Sequence, residues 1–198
     1  MKITPDRLDA LTELINIGVG QAAAMLNEMI EYHIRLQVPW VAILSREDLQ
    51  EQLSKRLGEE KLSAVQLEFS NSLVGNAQLV FPKDSAVTLI SVLTGEEPQS
   101  PDLDLFRIGT LTEVGNIVLN GVMGSMGNML SNPMSYSVPT YIEDKLIFLL
   151  PFGDRSKTTV LLGETRFTVE ELQVQGDIIL FFNLGSFDIL LSKLEDFC

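Results

Sequence analysis

A glutamate followed three residues later by an asparagine occurs twice in this chain, as Glu13 with Asn16 and as Glu113 with Asn116. On a helix that spacing puts both side chains on one face, close enough to act on a single target. The carboxylate offers charge and acceptors. The carboxamide offers a donor and an acceptor together, which suits holding a small polar group in one orientation. An intrahelical salt bridge explains neither glutamate: the positions three and four away hold Asp9, Ala10, Asn16 and Ile17 for Glu13, and Gly109, Thr110, Asn116 and Ile117 for Glu113. A single pair of this kind is what an ordinary solvated helix face carries. Two copies in register weigh against that reading without removing it.

The pairs belong to a longer internal repeat. Leu11-Thr12-Glu13 returns as Leu111-Thr112-Glu113, Asn16-Ile17 as Asn116-Ile117, Met29 as Met129 and Val38-Pro39 as Val138-Pro139, without a gap. Gly75 to Leu93 matches Gly176 to Leu194 more loosely, with the offset increased by one. Two copies are too few for a solenoid, so the repeat predicts one pseudo-symmetric domain over 1–198. Its halves, about 1–95 and 102–198, are joined by a Gly/Pro/acidic linker, Gly95-Glu96-Glu97-Pro98-Gln99-Ser100-Pro101.

Each half has the same plan. Thr4 is a suitable N-cap and Pro5 a suitable first helical residue, so a long helix is predicted from there to near Met29. Leu8, Leu11, Ile15, Val19, Ala22, Leu26 and Met29 form its core stripe; Asp9, Glu13, Asn16, Gly20 and Asn27 fall on the opposite side. Extended sequence follows over Ile34 to Leu44, with Pro39 favouring an edge or a bend. Ser45-Arg46-Glu47-Asp48 resembles a capping box before a short helix carrying Leu49, Leu53 and Leu57. Strands are predicted over Val65–Phe69 and Ala77–Phe81, and a helix over Ser85–Leu93. The second half repeats the plan. Its helix runs from about Asp102 or Asp104 to Leu130, with Ile108, Leu111, Leu119, Val122, Met126 and Met129 inward and Glu113, Asn116 and Asn120 outward. Strands near Ser135–Ile142, Leu146–Leu150, Thr158–Leu162 and Ile178–Phe182 and a helix over Phe187–Leu194 complete it. The fold class is therefore mixed α/β (α+β), with helices packed against one sheet.

Composition narrows the function. A net charge of −13 argues against nucleic acid and against an anionic membrane surface. Cys198 is the only cysteine, so no disulfide forms within the chain; with no apolar leader at the start and no apolar run long enough to span a bilayer, a cytoplasmic protein is expected. His33, the only histidine, has no cysteine partners for a metal site or triad. Gly18-Val19-Gly20 sits inside a helical pattern and lacks the preceding strand of a dinucleotide loop, so helix packing is its expected role. Met123, Met126 and Met129 read as core filling, Asp102 and Asp104 as linker or cap residues, and Trp40 as either core or a partner contact.

Asp9, Glu13, Asn16 and Pro39 resemble the signature of the CheC/CheX/FliY phosphatases: Asp or Ser, three residues, Glu, two residues, Asn, twenty-two residues, Pro. Glu113, Asn116 and Pro139 meet the same spacings, with Gly109 where Asp or Ser is expected. Length, duplicated halves and central linker are most similar to CheC. The resemblance implies a CheC-like fold, two long helices related by a pseudo-two-fold axis beside a sheet, and one active site per half. Because of Gly109, the first site is expected to be intact and the second weaker.

The activity so implied is hydrolysis of the aspartyl phosphate of a CheY-like response regulator. Asn16 and Asn116 would orient the attacking water, and Glu13 and Glu113 would pair with the regulator's active-site lysine. Mg²⁺ would come from the regulator, so the chain needs no cofactor of its own. Asp9 would help orient the partner or favour the helix N-terminus, and Pro39 and Pro139 would be structural. Asn16 is expected to face solvent. The deamidase CheD is a second candidate partner, and a monomer is expected because a duplicated chain satisfies its own symmetry. The rival reading is a non-catalytic adaptor or scaffold of the flagellar-switch kind.

Overall fold

The computed structural model describes residues 3–29, 33–57, 60–95, 105–131, 134–150, 158–169, 172–183 and 185–194. Thr4 opens the first helix, α1 (Pro5–Met29), as its chemistry suggests: the Leu8 N–H donates to the Thr4 carbonyl at 3.1 Å and the Arg7 N–H approaches Thr4 Oγ1 at 3.4 Å. The extended stretch after it breaks around Pro39 into β1 (Ile34–Gln37) and β2 (Val41–Leu44). Ser45 caps α2 (Arg46–Leu57), its Oγ accepting from the Asp48 N–H at 3.1 Å and donating to the Asp48 carboxylate at 2.7 Å. A hairpin of β3 (Lys61–Asn71) and β4 (Gly75–Pro82) leads into α3 (Lys83–Thr94). Gly95 closes α3 in the left-handed conformation, φ 70°, with its N–H on the Ser91 carbonyl.

The second half runs α4 (Leu105–Leu130), β5 (Met134–Tyr136), β6 (Thr140–Lys145), α5 (Leu146–Leu149), β7 (Thr158–Val169), β8 (Leu172–Asn183) and α6 (Ser186–Leu194). The linker beyond Gly95, the expected helix start at Asp102 or Asp104, and Cys198 lie outside the described residues. The single strand expected near Ser135–Ile142 is divided into β5 and β6, and one element differs in type from expectation. Leu146–Leu150, predicted as a strand, is a single helical turn followed by Leu150, because Leu146 and Leu149 bury together while Ile147 and Phe148 stay exposed. A five-residue apolar run carries too little periodicity to separate those outcomes.

All strand pairs are antiparallel, and the described strands form one sheet in the order β1-β7-β8-β4-β3-β5, with β2 also on β7 and β6 also on β3. The duplication is thus interlocked: the opening strands of each half pair with the hairpin of the other. Both faces are covered. In β8, Ile178, Leu180 and Phe182 join α1, α3, α4 and α6 in one core, while Ile179 and Phe181 join α2 and α5 in another. Burial on both faces is why the Ile178–Phe182 stretch of β8 reads as a continuous apolar run without alternation. No helix among the described residues is long and apolar enough to cross a membrane.

The long helices α1 and α4 cross antiparallel, with Leu14 beside Ser125 and Gly18 beside Gly121 and Val122. The single Ser125 Oγ proton is shared between the Leu14 carbonyl at 3.0 Å and the Val122 carbonyl of its own helix at 2.8 Å, and a Cβ on Gly18 would lie 2.5 Å from Val122 Cα. Gly18 is therefore a packing residue, as its position in the helical pattern suggested.

On the opposite face of the sheet, Arg56 of α2 reaches Asp177 of β8 and Glu164 of β7, which also pairs with Arg166. The Asp177 side chain is 2% exposed, and burial raises its carboxyl above the usual aspartate range against the opposing pull of Arg56. A raised acid in the folded state contributes stability below the unfolded aspartate value and loses it as pH rises through the folded one. Asp177→Asn should therefore gain stability relative to the wild type as urea unfolding moves from pH 4 to pH 7. Arg56→Met, which leaves the buried carboxylate without its cation, should cost about 2 kcal/mol at pH 7, below the range for a fully buried pair because Arg56 is one-third exposed.

Candidate functional site

The polar faces of α1 and α4 carry both Glu–Asn pairs. Leu11, Ile15, Val19 and Ala22 on α1, and Leu111, Leu119, Val122 and Met126 on α4, are fully buried. Asp9, Glu13 and Glu113 are exposed, and Asn16 and Asn116 are half-buried. Each glutamate thus lies on the same helix face as its asparagine. Because α1 and α4 cross antiparallel near Gly18 and Gly121, the pairs are displaced toward opposite ends of the crossing.

The two asparagines differ sharply. Asn16 is not free to solvent as expected. Its Oδ1 accepts from the Val38 N–H at 2.9 Å, and its Nδ2 donates to the Val38 carbonyl at 2.8 Å and to the Thr12 carbonyl at 2.9 Å. The carboxamide matches the edge of one peptide unit and straps α1 to the segment between β1 and β2. Val38 is only 1% exposed, so its backbone has few other partners. Asn27 does the same one strand-end away, bonding both the N–H and the carbonyl of Ile34.

Asn116 makes no such strap. Val138, which stands in the same relation to Asn116 as Val38 does to Asn16, is 83% exposed. The Asn116 Oδ1 accepts from Asn120 Nδ2, one turn further along α4, at 2.5 Å. No partner of Asn116 Nδ2 is found among the described residues. The second half therefore presents the carboxamide with an uncommitted donor beside an exposed glutamate.

The remaining signature positions fall around these pairs. Pro39 is exposed at the break between β1 and β2, and Pro139 is half-buried between β5 and β6. Gly109 faces open space on α4, one turn before Glu113. The Asn120 contact has a signal in the sequence: Asn120 lies four residues after Asn116 on the same face, where the first half has Gly20.

No family model matches the chain. Among curated proteins it is similar to the CheY-P phosphatase CheC of Bacillus subtilis, 24% identical over 144 residues. That alignment spans 69% of this chain and 66%, just under two thirds, of the relative. Among solved structures, FliY of Thermotoga maritima superposes with a TM-score of 0.76 at 19% identity, covering 98% of this chain and 97% of that one. The FliM middle domain of H. pylori superposes with a TM-score of 0.71 at 9% identity, covering 96% and 99%. Both structural likenesses concern the fold.

Proposed function

We propose that this chain, which is similar to the CheC/CheX/FliY proteins in sequence and fold, is a phosphatase acting on the aspartyl phosphate of a CheY-like response regulator. The observation that carries the reading is the Glu113–Asn116 pair on the outer face of α4, with the carboxamide donor uncommitted. The similarity to a relative named CheY-P phosphatase supports it.

An aspartyl phosphate is an acyl phosphate with appreciable hydrolysis of its own, so a catalyst gains most by holding a water in line with the phosphorus. On this reading Asn116 accepts from that water through Oδ1 and donates through Nδ2 to the phosphoryl group. Glu113, exposed and without a basic neighbour on its helix turn, pairs with the regulator's lysine and sets the docking angle. The water's proton leaves with the products, and the freed carboxylate is the regulator's aspartate. Mg²⁺ on the regulator neutralises phosphoryl charge. Glu13 and Asn16 form the other potential site, in the first half, with Asp9 at its rim, and Pro39 and Pro139 shape the neighbouring strands. The chain acts as one duplicated unit over 1–198, as a monomer, with CheD a further candidate partner.

Phosphate release from a phosphorylated CheY-type regulator tests this directly. Wild type should accelerate release, and the Asn16→Ala, Asn116→Ala double variant should return it to the regulator's own decay. Equal release by the two would remove the asparagines from the mechanism. A second reading, a response-regulator-binding scaffold, is favoured by the likeness to the FliM middle domain and by the structural engagement of Asn16. It predicts regulator binding by wild type with no acceleration at all.

A further inference from the structure

A carboxamide that positions water has two ends that must not exchange. The last side-chain torsion of asparagine is broad, and a half-turn about it swaps donor and acceptor at little intrinsic cost. In the first half, the Val38 peptide fixes the Asn16 amide from both ends. In the second half, the fixing group is on the helix itself: Asn120 Nδ2 donates to Asn116 Oδ1 at 2.5 Å across one turn. That contact identifies the oxygen end of Asn116 and aims its Nδ2 away from Asn120. It also leaves a lone pair on Oδ1 for a second donor.

From this we infer that Asn120 is a positioning residue for Asn116, holding the carboxamide in the orientation that places the attacking water; the inference rests on the phosphatase reading. Four residues is the spacing at which helix side chains meet, so the brace needs no loop or partner to form. The corresponding residue in the first half is Gly20, which is exposed with open space around it and has no side chain to act this way. The two halves therefore hold their asparagines by different devices, and the brace on α4 leaves the carboxamide nitrogen available.

The test is a double-mutant cycle on the full chain, with kcat and KM for phosphate release measured separately for wild type, Asn120→Ala, Asn116→Ala and the double variant. Loss of the brace should lower kcat roughly tenfold through misorientation of the amide, with KM unchanged. The double variant should fall no further than Asn116→Ala, since residues acting as a unit are not additive. Asn120→Gln, which retains an amide donor at the same position, should recover part of kcat; Asn120→Asp, which cannot donate when ionised, should not. Thermal unfolding of each variant separates these effects from loss of fold. An unchanged kcat in Asn120→Ala, a rise in KM alone, or fully additive losses would overturn the positioning role while leaving the phosphatase reading in place. No acceleration by wild type would instead overturn the phosphatase reading, and the positioning role with it.

Discussion

Asn116→Ala is expected to lower second-site turnover roughly 10²-fold while leaving the melting temperature almost unchanged. Asn16→Ala is expected to do the reverse, costing about 2 kcal/mol of stability with the smaller loss of rate. The difference follows from what each carboxamide is bonded to. Removing the Asn16 side chain strips partners from the N–H and carbonyl of Val38, a residue 1% exposed, and from the Thr12 carbonyl. Removing the Asn116 side chain strands only the Asn120 amide, which is half-buried and reaches water. Urea unfolding alongside phosphate release resolves the two. A larger rate loss with Asn16→Ala than with Asn116→Ala would restore the order expected from the signature, in which Gly109 marks the weaker half. The structure supplies a reason to discount Gly109: it faces open space, and what it lacks is a side chain at the rim, not a part of the pair.

Gly18→Ala and Gly20→Ala should shift stability in opposite directions. Alanine is favoured over glycine within a helix by about 1 kcal/mol, and Gly20, exposed with nothing within 4 Å of an added Cβ, should realise most of that gain. At Gly18 the added carbon would sit 2.5 Å from Val122 Cα and 2.6 Å from the Gly121 carbonyl oxygen. Both are backbone atoms of α4, so no side chain can rotate aside and the helices must separate. That costs about 3 kcal/mol, which outweighs the propensity gain and leaves a net loss of about 2 kcal/mol. The strain would also pull on the Ser125–Leu14 hydrogen bond. Chemical denaturation of the two variants checks the prediction; a Gly18→Ala protein as stable as wild type would mean that the crossing tolerates a wider separation.

These pairs of residues mark the boundary between what the amino-acid order determined and what required three dimensions. The long helices were legible because Leu11, Ile15, Val19 and Ala22, and their counterparts on α4, recur at the period at which a helix returns to the same face. The Glu–Asn pairs on the opposite face were legible for the same reason, since three-residue spacing fixes a shared direction before anything packs. Pro39 divided a strand region, and Ser45 began a helix, through local backbone chemistry alone. Periodicity could not reach Leu146–Leu150, because a five-residue run looks alike as strand or helical turn until the second face of the sheet claims Leu146 and Leu149. Nor could it separate Asn16 from Asn116. Their sequence contexts are nearly the same, and what distinguishes them is whether a peptide 22 residues away lies against the carboxamide, as Val38 does, or stands out in solvent, as Val138 does. Gly18 and Gly20 divide in the same way: both sit in one helix, and only the approach of α4 gives one of them no room for a methyl group. Local sequence sets the direction of a side chain, but the identity of what it meets belongs to contacts between distant segments.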